Sequence, residues 1–297
     1  MRKIALPISA ALSIVAATPA VAQPASSQPS QEIIVEATRG SDRQIRDFVK
    51  ALTDAPSFGQ IGRFHDAVCP AAMGLLPVQN AALAARMRAV AAAANIRVAP
   101  AVCTPNAFVI VAPDKSAAVR ELYRRYPSYF AGLTSRQIAS LASAPGPATA
   151  WQISTLLSAE GEILKKAGGS DHYILENSNT PSRVKAATIP AFVASMVVID
   201  RRAASGLTVT QLADYAAMRI FADIAPAKAA GVRAPSILTI LDQASDQLVP
   251  VTLTYWDLAF LKSLYATSNA YYASYQRGDM ERVVSNELKQ RGAKRRP

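Results

Sequence analysis

The chain predicts an α/β (α+β) fold, helix-rich with a small central sheet, on three observations. First, Ala194–Ala222 (ASMVVIDRRAASGLTVTQLADYAAMRIFA) reads as a strand feeding a helix. Met196 to Ile199 are four consecutive large apolar residues, the pattern of a strand buried on both faces. Second, helix-start devices recur: Ser41 with Gln44, Thr134 with Gln137, Thr208 with Gln211, and Thr254 with Asp257. In each a hydroxyl can accept an orphan backbone N–H while the residue three on reaches back. Third, short apolar runs such as Ala107–Val111 fall between those helices, an order of helix, strand, strand, helix.

The first 22 residues have the layout of a secretory signal peptide. Arg2 and Lys3 precede an apolar run from Ile4 to about Ala17, and Ala20-Val21-Ala22 is a small-x-small cleavage site before Gln23. The run is shorter than the ~20 residues a membrane span needs, and no later segment supplies one. A periplasmic or secreted location is expected. Residues 23–31 (QPASSQPSQ) read as a disordered linker. The rest, 32–297, reads as one globular body with an N-terminal module at 32–143 and a C-terminal module at 148–297, the boundary at Ala144-Pro145-Gly146-Pro147.

In the first module Ile33–Ala37 is a short strand candidate. Ser41 opens a helix striped by Ile45, Phe48, Val49 and Leu52. Phe64, Ala67 and Val68 suggest a second short helix or turn, carrying His65. Leu76–Asn95 is strongly helical, with Leu83, Met87, Val90 and Ala94 on one face. Strands follow at Ile96–Ala99 and Ala107–Val111, then a helix from Asp114 to about Arg125. In the second module Ala150–Leu156 and His172–Leu175 are strand candidates expected in the same sheet. The helix after Thr208 carries a staple, Leu207 with Leu212, and a narrow face of Leu212, Ala213, Ala216, Ala217 and Ile220 suited to lying close on a sheet. Pro226 closes it. A short apolar element at 236–241 and a last pair of helices from Thr254 complete the chain. Tyr265, Tyr271, Tyr272 and Tyr275 are expected to pack on the body with their hydroxyls wet.

The formal charge is +11, and loss of Arg2 and Lys3 lowers it by two. Much of it sits in the tail, at Lys289, Arg291, Lys294, Arg295 and Arg296, which reads as solvated or in weak contact with anionic lipid, lipopolysaccharide or peptidoglycan. No basic motif interleaved with aromatics supports a nucleic-acid partner. Cys69 and Cys103 are the only cysteines, and in an exported chain they are expected to form a disulfide.

Standard catalytic kits are absent. The chain has two histidines, His65 and His172, and no His-Glu-x-x-His, Gly-x-Ser-x-Gly, P-loop or dinucleotide fingerprint. Neither a metal nor a cofactor is expected. His172 reads as a loop residue beside Ser170 and Asp171. Ser182-Arg183-Val184-Lys185 matches Ser-x-x-Lys without an accompanying Lys-Thr-Gly. Asp214, His65 and His172 are the weak catalytic candidates, with Ser182 behind them. Asp214 is expected as a helix-surface charge or as what remains at a groove.

Two resemblances add to this. Glu32–Arg39 (EIIVEATR) is similar to the segment that opens many TonB-dependent receptors, but a receptor barrel needs far more alternating strands than this largely helical pattern offers. Met196–Asp200, Thr208–Phe221, Ser236-Ile237-Leu238, Leu253–Asp257 and Leu264-Tyr265 resemble, in order, segments of uncharacterised exported proteobacterial proteins with a zincin-like arrangement. That resemblance implies a protease-like scaffold whose two metal-binding histidine positions fall on Ala213 and Ala217, and whose catalytic glutamate position falls on Asp214. Alanine has no lone pair for zinc, so a degenerate, non-catalytic scaffold is implied. Cys69-Pro70 and Cys103-Thr104-Pro105-Asn106 resemble the N-terminal region of exported sphingomonad proteins. The reading is an exported pseudoenzyme that binds a peptide, an envelope polymer or a protein; the alternative is a hydrolase with a non-standard site.

Overall fold

The computed structural model describes residues 41–53, 55, 59–166, 173–174, 182–224, 228, 234–241 and 249–294. The expected leader and linker, the strand candidate Ile33–Ala37, His172, Pro226 and the tail arginines Arg295 and Arg296 lie outside them.

The sheet is built on β7 (Thr188–Asp200), which pairs along both edges. On one edge β1 (Arg63–Phe64) runs parallel to it beside Ala191 and Phe192. Further along the same edge runs β3 (Ala107–Ala112), parallel and in register from Ala107–Ser195 to Ala112–Asp200. β2 (Pro70–Met73) lies parallel outside β3. On the other edge β4 (Ala148–Ser158) runs antiparallel along the whole of β7, with an irregularity after Ile153. β5 (Lys165–Lys166) and β6 (Tyr173–Ile174) form a separate hairpin, so the second strand expected to join the main sheet does not.

Alternation along the strands separates two cores. Val109, Val111, Val197 and Ile199 face the larger one, formed with α1 (Asp42–Leu52), α2 (Pro77–Ala93), α6 (Val209–Phe221), α7 (Tyr255–Ala266) and α8 (Ala273–Lys294). Met196, Val198 and Trp151 face the smaller, under α3 (Lys115–Arg125), a 3₁₀ turn at Pro127–Phe130, and α4 (Ser135–Ser143). Between β7 and α6 lies the single turn α5 (Arg201–Ala204). A helix–sheet–helix layering follows from the two buried faces of β7. Phe48 meets the ring of Trp256 edge-on at 5.3 Å, locking α1 to α7.

The capping residues act as expected. Ser41 accepts from the Gln44 N–H, Asp114 from Ala117, and full capping boxes form at Thr134, Thr208 and Thr254. Three expectations are corrected. Phe64 and Val68 are not helical: Phe64 is in β1, and Val68 makes a parallel bridge to Val98. Nor does α6 bury only a narrow face. Every residue from Leu212 to Phe221 is buried, because α2, the sheet and α7 surround it. A helix buried on every side belongs to the interior of a domain. Tyr265 is corrected too: its hydroxyl donates to the Phe221 carbonyl at 2.9 Å and accepts from the Phe64 N–H, and burial pushes its pKa up.

Gly74 shows how tightly β2 is held. Its φ is +95°, and a Cβ there would lie 1.9 Å from the Val111 carbonyl oxygen, so only glycine fits.

Asp257 closes the start of α7. It is fully buried and accepts from Ser236 Oγ at 2.6 Å, the Ile237 N–H at 2.8 Å and the Thr254 N–H at 3.0 Å. Burial raises its pKa to about 6 against the opposing pull of these donors. The folded chain therefore holds this proton more tightly than the unfolded one. The resulting stability is fully present below the unfolded value near 4 and is lost as pH rises through about 6. Chemical unfolding of the wild type should show a gain in stability from pH 7 to 5 that Asp257→Asn lacks; parallel pH profiles for the two proteins would refute the assignment.

Candidate functional site

Parallel strands β3 and β7 end side by side at Ala112 and Asp200, and the carboxyl edge of such strands is where open α/β sheets leave room for ligands. Here the Asp200 carboxylate accepts from the Lys115 N–H at 2.7 Å, fastening the start of α3 to the end of β7. The Lys115 ammonium turns inward and donates to the carbonyls of Ala144 and Gly146, the latter at 2.7 Å. Burial lowers its pKa, with Asp200 opposing. These bonds hold the 144–147 loop, expected as a linker, as a fixed wall.

Behind that wall is a cavity of about 440 Å³, lined by Pro147, Thr149, Tyr215, Arg219, Ile224 and Leu238 among others. Arg219 is only 5% exposed. One of its Nη groups donates to the Tyr215 hydroxyl at 2.8 Å, while its Nε has no hydrogen-bond partner among the described residues. No ion pair to Arg219 occurs among those residues either. Asp223 stands exposed and lines the same cavity.

A second cavity of about 400 Å³ adjoins the first, sharing Ala150 and Asp223, and is walled by Leu133 and Leu141 with Trp151 and Phe192. Together they flank β4. That strand pairs with β7 on its inner edge. Along its outer edge the pairing among the described residues is a bridge from Leu157 to Ile163, near its far end. The backbone beside Ala150–Ser154 thus offers, between two side-chain pockets, a ladder that no described strand pairs.

The described sequence candidates, Asp214, His65 and Ser182, do not converge there. Asp214 is wholly buried, not on the helix surface. It takes a two-pronged ion pair from Arg86 at 2.7 and 3.0 Å, plus the Thr252 hydroxyl and the Leu253 N–H. Its neighbours Ala213 and Ala217 are likewise fully buried. The His65 ring packs over Gly161, where a Cβ would come within 2.8 Å of its carbon Cε1. The Ser182 hydroxyl accepts from the N–H groups of Val184 and Lys185, a turn closed on itself. Among the described residues no hydrogen bond joins any two of Asp214, His65 and Ser182. No group of three His, Cys, Asp or Glu in those residues is placed to hold a metal ion.

Cys69 and Cys103 are disulfide-bonded, with Cα atoms 6.2 Å apart, and the Arg88 guanidinium covers the bond, 3.0 Å from the Cys103 sulfur. No described helix is long and apolar enough to cross a membrane. Arg219 and Tyr215 were not among the sequence candidates. The available signal was a lone arginine inside the apolar run Ala216–Ala222, one helical turn after a tyrosine. Compared with protein-family models, curated proteins and solved structures, the chain matches none.

Proposed function

We propose that the protein is an exported, non-catalytic binding protein that takes an extended peptide along β4. The observation that carries this is the open outer edge of β4 between its two cavities. Strand addition needs both parts: main-chain donors and acceptors for affinity, and pockets for alternate side chains for specificity. On this reading the scaffold is a degenerate zincin-like one. Ala213 and Ala217 stand where ligands would be, and Asp214 serves as a structural hub. The leader at 1–22 and the disulfide support an envelope location, in which peptides and peptide-bearing polymers are the available partners.

Peptides selected against the mature chain from a random display library test the reading. Only every second residue of an added strand points its N–H at the neighbour. N-methylation of a selected peptide should therefore weaken binding at least tenfold at alternate positions and little between them. Selection without binders, or equal tolerance at all positions, would overturn the strand-addition reading.

A further inference from the structure

We infer that Arg219 is a receptor for a carboxylate in the cavity at the start of β4, which gives the bound peptide its polarity. This rests on the strand-addition reading for where the carboxylate comes from, though not for whether the site binds one.

Arg219 projects from a helix that is otherwise interior, into a cavity rather than into packed side chains. A guanidinium stays charged at every physiological pH. Water no longer solvates this one fully, and among the described residues no carboxylate is ion-paired to it. Its Nη group is turned by the Tyr215 hydroxyl, which fixes the plane of the fork, with the guanidinium carbon 5.8 Å from the centre of the Tyr215 ring. The Nε–H is buried and has no hydrogen-bond partner among the described residues. An unmatched buried donor is costly, and a carboxylate fits a guanidinium edge with charge-assisted bonds. The nearby Lys115 adds positive potential, its ammonium already held by two carbonyls. Asp223 is exposed and lines the rim of the same cavity.

The cavity is lined by the 144–147 loop and by Ala148–Ala150, the amino-terminal end of β4. A strand added antiparallel to β4 ends there, so its terminal carboxylate would meet Arg219. An acidic side chain in an added strand could present the same group.

The test reads the Arg219 Nε–H resonance in the mature protein labelled with ¹⁵N-arginine, assigned by its loss in Arg219→Lys. Should that variant not fold, Tyr215→Phe, which removes the Nη acceptor, displaces the same signal and assigns it. Acetate, tetra-alanine as the free acid, tetra-alanine amide and Ala-Ala-Glu-Ala amide are titrated in turn. A saturable downfield shift with acetate and the free acid, the acid binding at least tenfold tighter than its amide, is expected. A response to the glutamyl amide equal to that of the free acid would assign the carboxylate to a side chain instead of the terminus and still support the receptor. No shift with acetate, and no preference for acid over amide, would overturn it. If the peptides then still perturb the β4 amides, the peptide groove survives without its anion receptor. If acetate alone shifts the signal and no peptide touches β4, the receptor survives and the strand-addition reading falls.

Discussion

Asp214→Ala should destabilise the fold by about 3–5 kcal/mol, the range seen when one partner of a buried ion pair is removed. The carboxylate is fully buried and serves three segments at once: Arg86 on α2, its own helix α6, and Thr252 and Leu253 before α7. Removing it strands the Leu253 N–H inside the protein and leaves Arg86 without its counter-charge. Asp214→Asn should lose less. One amide oxygen can keep the Leu253 bond, and Arg86, 18% exposed, can turn part of its charge to water. Replacing both partners, Asp214→Leu with Arg86→Met, should recover part of the loss, though not the portion due to the orphaned N–H. Urea unfolding of the four proteins checks the order. A loss below about 1 kcal/mol for Asp214→Ala would mean that the pair is not a structural hub.

That hub marks where reading the sequence stops. Asp214 was visible as the one acid in the helix, but its partner lies 128 residues away and nothing in the local pattern points to it. The alanines beside it were equally ambiguous. A narrow row of small residues suits a helix lying on a sheet, and suits equally a helix packed on every side, since both require close approach. What decides is α2, whose own stripe of Leu83, Met87 and Val90 packs against α6 within the same core. Capping chemistry was legible because it is local: a hydroxyl and the residue three on meet within one turn whatever the rest of the chain does.

Strands were legible only where side chains announced them. Ala194 to Asp200 was plain from its β-branched run, but β7 begins six residues earlier, at Thr188. The missed part is interrupted by Pro190 and Ala191, and pairing with β4 and β1 carries the strand through them. β2, Pro-Ala-Ala-Met, was missed for the same reason. Phe64 and Val68 are four apart and imitate a helical stripe, while partners at Phe192 and Val98 hold them extended. The groove along β4 was invisible, because an open edge is defined by what does not pair with it.

Replacing both cysteines by serine should cost about 4 kcal/mol while leaving the fold intact. The bond closes a separation of 34 residues. On the chain-entropy model, a loop of that size restricts the unfolded ensemble by about that amount. The native contacts nearby do not depend on it. The Asn106 side chain accepts from the Cys69 N–H at 2.8 Å and donates to the Ala67 carbonyl, while its backbone carbonyl accepts from the Ser195 N–H. β2 and β3 stay in register through their own ladder. The loss should therefore appear as a lower unfolding midpoint with an unchanged far-ultraviolet spectrum. Arg88 should contribute little to it, since its remaining bonds go to the carbonyls of Ala99 and Pro100. The same measurement reads the compartment. A chain made with residues 1–22 and recovered from the periplasm should begin at Gln23, contain no free thiol and show the wild-type midpoint. A chain started at Gln23 and kept in the reducing cytosol should match the double serine variant until it is oxidised. Equal midpoints for oxidised and reduced protein would refute the stabilising role. An uncleaved leader on the periplasmic chain would refute cleavage before Gln23, and failure to reach the periplasm would refute the export signal.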